Sequence, residues 1–550
     1  MTKGEADAVH EKGDNMFQYL ILTAVVMLAC VAVNKVSGKL GMPMLLAFIL
    51  IGMFFGSDGL MGIHFDNYAL AENVCSVALV MIMFFGGFGT KWSEAKPVAV
   101  KSMVLSSVGT LATAGLVGLF CWKVLGMSLV FGLLLGSVIS STDAASVFSI
   151  LRTRKLNLKD NMASVLELES GSNDPFAYMM MIILLNIMEG GVSAGRVFYL
   201  IFAQLFFGIL FGVGMAVVAV FVFRKFRFQT PGFDAIFIIA IALISFAGPE
   251  MIQGNGYLAA YITGIILGNA KLPGKPALVH FFDGMTSLMQ ILLFFLLGLL
   301  ATPSRLPEVA IPSLAIALFL TFIARPLSVF VIMKAWGGSL RQIGLVSWSG
   351  IRGAASIVFT IMAVINPAVG DDRLYHIVFC IVLFSIAFQG SLMPLVAKKL
   401  DMIDDDTNVL KTFTDYTDLV PVQYIRSVIP PGHPWDGALV KDIHLPPESI
   451  IALIIRGDDK ITPGGKTLIL RGDVLVISGR LVNEEEGVSL SEEIIGDDSA
   501  LAGKMLSKAE TEALVIMIIR GEEILIPKGQ TVIETGDILV YNDSVGEKKP

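Results

Sequence analysis

Thirteen mainly apolar windows of bilayer length succeed one another, at about residues 17–35, 42–57, 70–88, 98–121, 128–150, 161–188, 197–223, 234–249, 257–270, 284–301, 308–334, 342–366 and 374–397. A crossing needs about 20 such residues. Within hydrocarbon, a helix satisfies every backbone polar group inside its own segment. Residues 1–400 are therefore expected to form an all-α polytopic membrane domain of about thirteen helices. The rest, with no apolar run of that length, is expected to be a soluble α+β tail. A mean hydropathy of +0.74, with 55% hydrophobic and 16% charged residues, excludes a soluble enzyme, a disordered chain and a secreted disulfide scaffold. Cys30, Cys75, Cys121 and Cys380 are too dispersed for a disulfide framework or a cysteine metal site.

Charge in the connecting loops tests the count. Alternate loops carry Lys35/Lys39, Lys91/Lys96/Lys101, Arg152/Arg154/Lys155/Lys159, Arg224/Lys225/Arg227, Lys271/Lys275, Lys334/Arg341 and Lys398/Lys399, 18 positive charges in all. The intervening loops hold four: Lys123, Arg196, Arg305 and Arg373. A missed or invented span would scramble this alternation. The positive-inside bias predicts a cytoplasmic tail and an outside N-terminus in the cell's inner, cytoplasmic membrane. The first fifteen residues are polar and lack the n-region and cleavage site of a signal peptide. Residues 401–550 carry 27 acidic and 14 basic residues, a balance that argues against nucleic acid as a partner.

The tail contains a repeat. Across residues 456–477 and 520–541, ten of 22 positions are identical, among them Pro463/Pro527, Gly465/Gly529, Thr467/Thr531 and Gly472-Asp473/Gly536-Asp537. Each copy reads as apolar strand, Arg-Gly turn, strand, Gly-Asp turn, apolar strand. The boundaries follow as 401–482 for the first module and 483–550 for the second. The stretch "ALIIRGDDKITPGGKTLILRGDVLVISG" resembles the TrkA C-terminal (RCK-C) domain, which implies a regulatory module whose ligand is a nucleotide, an ion or nothing. Gly465-Lys466-Thr467 is a decoy for a phosphate-binding loop, because that motif needs glycine where Lys460 stands.

Intramembrane charge is expensive, so each instance needs a reason. The span 128–150 contains Ser140-Ser141-Thr142-Asp143. The span 161–188 contains Glu167 and Glu169-Ser170-Gly171-Ser172-Asn173-Asp174-Pro175. Arg325 precedes Pro326, and Arg352 lies between Gly350 and Gly353. Helical i, i+4 spacing stacks Glu169 over Asn173 and Ser170 over Asp174, so one face presents two carboxylates, an amide and a hydroxyl. Such oxygens suit a hard monovalent cation that sheds its water, and a carboxylate among them can take a proton instead. Hydroxyls that compete with backbone hydrogen bonds and glycines around Arg352 predict that spans 128–150 and 342–366 break at mid-membrane, as in inverted-repeat transporters. Ala144-Ala145-Ser146 against Ala354-Ala355-Ser356 is the accompanying trace of internal symmetry. Plainer roles compete. Glu169 and Arg352 can be a structural ion pair, Ser140–Thr142 packing residues, and Arg325 an anchor at the cytoplasmic side or a pathway residue.

Together, Thr142-Asp143, Glu169-Ser170-x-x-Asn173-Asp174 and Gly350-x-Arg352-Gly353 resemble the monovalent cation:proton antiporters of the NhaP-like branch. Residues 78–92, "ALVMIMFFGGFGTKW", are similar to the family's glycine-rich third-helix segment. Residues 254–300 are similar to its potassium/proton subgroup. The resemblance implies thirteen helices, a homodimer, no cofactor and no metal beyond the transported ion. By it, Asp174 is the ion- and proton-binding carboxylate, Asp143, Ser170 and the Thr142 backbone complete the site, Asn173 organises it, and Glu169 pairs with Arg352. Where the family usually has an acid before its two glycines, this chain has Phe85. The expected function is electroneutral, tail-regulated exchange of K⁺ or Na⁺ for H⁺ by a transporter that is not an enzyme. A cation channel gated by the same tail is the alternative. It would need a filter of backbone carbonyls such as T-V-G-Y-G, and no such stretch exists.

Overall fold

Apolar runs punctuated by glycine, proline and capping residues give helices whose ends follow local chemistry. In the computed structural model they are α1 (Met44–Phe55), α2 (Tyr68–Gly89), α3 (Trp92–Lys123), α4 (Leu129–Ser140), α5 (Met162–Met188), α6 (Ala194–Lys225) and α7 (Phe233–Glu250). There follow α8 (Gly256–Asn269), α9 (Lys275–Leu300), α10 (Pro303–Ala335), α11 (Leu340–Trp348), α12 (Ala354–Ile365) and α13 (Arg373–Lys399). The structure describes residues 24–32, 43–143, 146–147, 150–151, 156–190, 192–226, 230, 232–370, 372–404, 422–446, 449–457, 459–480, 490–496, 499–509, 514–521, 523–525 and 527–542. Expectations resting on Lys35, Lys39, Ala144, Ala145, Arg152, Arg154, Lys155 or Arg227 lie outside them. Among the described residues seven helices (α2, α3, α6, α7, α9, α10 and α13) are long and apolar enough to cross a membrane.

Asn67, Ser128, Ser193, Asn255 and Ser339 accept a backbone N–H as side-chain caps at five of these starts. Three π-turns, Leu105–Gly109, Leu320–Ala324 and Ser385–Gly390, interrupt α3, α10 and α13. Such widened turns gather at functional positions, and the second ends at Ala324, directly before Arg325. Window 284–301 starts nine residues inside α9, because Lys275, His280 and Asp283 make the first turns polar.

The chain divides into two units, residues 1–417 and 418–550. In the first, loop contacts sort into two ends. At one, Asn161 Nδ2 donates to the Glu94 carbonyl (2.7 Å), Trp92 N to Asn269 Oδ1 (2.9 Å), and Lys159 and Arg341 reach Asp401 at 2.9 and 2.7 Å. The Lys159 and Arg341 contacts hold the Asp401 carboxyl below the usual carboxylate range. At the other, Ser304 N donates to Asp58 (2.9 Å) and Asn366 to Glu189 (2.7 Å). The first is the end that collects the lysine- and arginine-rich loops. Helices α2 and α8 cross there with backbones touching: a Cβ on Gly264 would lie 2.1 Å from the Phe84 carbonyl oxygen.

The second unit holds two four-stranded antiparallel sheets. The strands are β1 (Val422–Val428), β2 (Ile450–Arg456), β3 (Asp459–Ile461) and β4 (Val474–Arg480), then β5 (Leu490–Ile494), β6 (Leu514–Arg520), β7 (Glu523–Leu525) and β8 (Ile538–Asn542). Their orders, β1-β4-β2-β3 and β5-β8-β6-β7, correspond strand for strand. Even the register shifts match, between Ile451 and Leu453 in one sheet and Val515 and Met517 in the other. Gly457 and Gly521 turn at φ of 60° and 62°, which is why each Arg-Gly pair ends its strand. Arg456 forks onto buried Asp473 at 2.8 Å and Arg520 onto buried Asp537 at 2.8 Å. Each guanidinium holds its aspartate below the usual carboxylate range. Among the described tail residues there are strands and single 3₁₀ turns but no α-helix, so the expected α+β tail is β-rich there.

Candidate cation and proton site

Helix α4 stops at Ser140, and residues 141–143 run without helical structure. Likewise α11 stops at Trp348 and α12 begins at Ala354, leaving Gly350–Gly353 non-helical. The two interruptions meet. Asp143 N donates to the Ile351 carbonyl at 2.8 Å, a backbone bond between segments 208 residues apart. Interrupted backbone at this depth must be satisfied by protein, and Arg352 does much of that. Its Nη1 donates to the carbonyls of Ser140 (2.7 Å) and Ser141 (2.8 Å), and its own N–H donates to Ser385 Oγ (2.9 Å). A cation at the α4 C-terminus also complements the negative end of that helix's dipole.

Asp143 faces the opposite polarity. Its oxygens accept from Ser146 N (3.1 Å) and Ser146 Oγ (2.6 Å). Its carboxyl also lies against Gly353, immediately before α12, so close that a Cβ there would stand 2.0 Å from Oδ2. The start of α12 therefore complements its negative charge. Gly353→Ala is expected to push the Asp143 carboxylate aside and slow exchange about a hundredfold, the scale of an ångström of misplacement. The check is proton flux in liposomes at matched protein incorporation, and a full rate in the variant would show that the contact is dispensable.

Helix α5 closes the site. Asn173 clamps Thr142, accepting from its N–H at 3.3 Å and donating to its Oγ1 at 2.5 Å. Ser170 Oγ donates to the Thr142 carbonyl at 2.5 Å. Asp174 accepts from Ser141 Oγ and is 8% exposed, beside Pro175, which removes one backbone donor from the helix. Asp143, Thr142, Ser170, Asn173 and Asp174 thus converge on one crossing point, with Ser141 as an added member. Its signal was the Ser-Ser-Thr run itself. Two turns away on α5, Thr90 donates to Glu167 at 2.8 Å, joining α5 to the end of α2.

The ion pair differs from the expected one. Glu169 bonds Arg325, not Arg352: Arg325 Nη2 lies 2.7 Å from Oε1 and 2.8 Å from Oε2, with both residues almost fully buried. Arg352 is spent on the carbonyls at the α4 break, while Arg325 directly follows the π-turn that ends at Ala324. That pairing also replaces the reading of Arg325 as an anchor. Phe85 lies within an aromatic cluster, its ring centroid 6.1 Å from Phe282 and 6.4 Å from Phe88.

Comparison with known proteins matches residues 22–399 to the sodium/hydrogen exchanger transmembrane family, and residues 424–485 and 490–540 to the TrkA-C domain. The K(+)/H(+) antiporter NhaP of Alkalimonas amylolytica is 36% identical over 385 residues, which cover 70% of this chain and 67% of that protein. The K(+)/H(+) antiporter NhaP2 of Shewanella baltica is 29% identical over 479 residues, 84% of this chain and 81% of the relative. Among solved structures, the sodium proton antiporter MjNhaP1 of Methanocaldococcus jannaschii superposes with a TM-score of 0.60 at 22% identity, over 70% of this chain and 99% of that one.

Proposed function

The chain belongs to the sodium/hydrogen exchanger family of membrane transporters, and on that premise we propose that it exchanges K⁺ for H⁺ electroneutrally, with Na⁺ as the lesser substrate. The observation that carries the reading is Asp174, one titratable carboxylate at the meeting point of two interrupted segments. Position 173 is an amide, and the start of α12 complements Asp143 as a fixed charge. Asp174 then binds one proton or one cation in turn, so each cycle moves one charge each way. Preference for K⁺ rests on the names of the relatives: those at 36% and 29% identity are K(+)/H(+) antiporters, while the Na(+)/H(+) antiporter NhaS2 of Synechocystis is 24% identical. The physiological setting we infer is a homodimer in the cytoplasmic membrane, with the basic loops and the tail in the cytoplasm. The test is proton flux in liposomes driven by K⁺ or Na⁺ with voltage clamped at several values. A rate that follows voltage strongly, or current without coupled proton movement, would replace antiport by conduction.

The residues named for the ion site all belong to the first unit, and the role we infer for the two β modules is to bias an equilibrium between transporter states. A protein ending near residue 405 is expected to insert and exchange, with an altered response to pH or to a cytosolic ligand. The measurement is flux by the truncated and full chains across a pH series. A truncated protein that inserts as the full chain does yet carries no flux would place the tail inside the mechanism.

A further inference from the structure

Helix α5 is weakest where its carrier carboxylate sits. Pro175 follows Asp174 directly and has no N–H, so the Gly171 carbonyl lacks its usual i+4 donor. On one side this stretch is held by the site itself, through the bonds of Ser170 and Asn173 to Thr142. On another it is held by a corner of the fold that has no part in the exchange site.

That corner is the turn from α7 to α8. Gly254 N donates back to the Pro249 carbonyl at 2.7 Å, and the tight turn brings Asn255, 2% exposed, against α5. Every hydrogen-bonding group of its side chain is engaged. Oδ1 accepts from Leu258 N at 2.9 Å and caps α8, which fixes the orientation of the amide. Nδ2 donates to Gln204 Oε1 on α6 at 3.2 Å and to the Pro175 carbonyl at 2.9 Å. Asn255 N also donates to the Gln204 carbonyl at 3.2 Å, so buried Gln204 holds both the main chain and the amide of Asn255. A carbonyl oxygen has two lone pairs. That of Pro175 takes a donor from outside its own helix, one residue from Asp174. A turn farther along α5, the Tyr178 hydroxyl donates to Glu250 at 3.1 Å, and Glu250 accepts from Gly256 N at 2.8 Å, a second tie to the same corner.

We propose that Asn255, aligned by Gln204, is a positioning residue for cation binding: its bond to Pro175 fixes the α5 main chain beside Asp174 and keeps that carboxylate gathered with Ser141 and the Thr142 segment before an ion arrives. The assignment rests on the exchange reading above. Without that bond, the weakened stretch of α5 samples more positions, and an incoming K⁺ must order its own oxygens as it binds. The loss falls on cation affinity, because the groups that trade ion for proton are all still present.

The test is proton flux by the full chain in liposomes with K⁺ titrated, beside thermal unfolding of the same preparation. Asn255→Ser keeps an oxygen able to cap α8 but has no amide to offer Pro175. Its half-saturating K⁺ is expected to rise about tenfold, the upper scale of one hydrogen bond, with maximal flux changed far less. Gln204→Met keeps the side chain's length without its amide, and is expected to move half-saturating K⁺ the same way by about threefold. If Asn255→Ser does not insert, Gln204→Met decides. A lower unfolding temperature or maximal flux with half-saturating K⁺ unchanged would make the corner a structural support alone and overturn the proposal. Absence of K⁺- or Na⁺-driven flux in the unsubstituted protein would instead strike the exchange reading, before any variant is made.

Discussion

Asp174→Asn is expected to reduce exchange to background while the protein inserts and folds as before. Asparagine fills nearly the same volume and can still accept from Ser141 Oγ, as the carboxylate does. Packing around α5 therefore survives. On the proposed exchange, what disappears is the ability to trade a proton for a cation, because an amide does neither at working pH. The same competition sets the pH behaviour of the unsubstituted protein. Excess protons raise the half-saturating cation concentration, and at alkaline pH few carriers return loaded with H⁺, so the rate is bell-shaped. Flux in liposomes, with thermal unfolding of the same preparation in detergent, measures both halves of the prediction. Appreciable flux by Asp174→Asn would move the carrier role elsewhere, with Asp143 the first alternative.

The second large effect concerns Glu169 and Arg325, which are 1% and 2% exposed. Two charges so deep are held by each other, and removing one strands its partner at about 3–5 kcal/mol. Glu169→Gln and Arg325→Ala should each lower the unfolding temperature sharply and reduce yield. The double variant should lose clearly less than the two losses combined. Arg352→Ala is expected to be damaging for another reason, since it leaves the Ser140 and Ser141 carbonyls without their donor. Its loss should add to that of Glu169→Gln with far less coupling. Additive losses for Glu169 with Arg325, and strong coupling for Glu169 with Arg352, would restore the pairing expected from the sequence.

That pairing shows where linear reading stopped. The long apolar helices could be found because bilayer thickness imposes a length on them. The two interruptions could be found because Ser-Ser-Thr and Gly-x-x-Gly weaken a helix locally. The tail repeat carried its own turns, and Arg456 and Arg520 reached the same fold positions because their surroundings repeat. Choosing between Arg325 and Arg352 needed something else. Both arginines neighbour helix breakers in apolar spans, and either guanidinium is long enough to cross to α5. What separates them is a widened turn of α10 and the demand of two unpaired carbonyls, neither of which has a spacing signature. Glu250 escaped for a similar reason. At a helix end it reads as a boundary residue, and only the Tyr178 hydroxyl arriving from α5 at 3.1 Å ties it to that helix.

The backbone bond from Asp143 to Ile351, with Arg352 holding the carbonyls of Ser140 and Ser141, makes the two interrupted segments one mechanical body. Pulling them apart would strand a guanidinium and several main-chain groups at once, far costlier than moving them as a piece. On the proposed exchange, the ion's seat is then the same object whichever side it faces. The ratio of cations to protons per cycle is fixed by that object, and the gradients alone set the point at which net movement stops. On the same proposal, β modules that bias the transporter's states can hasten or slow the approach to that balance, but they have no lever on where it lies.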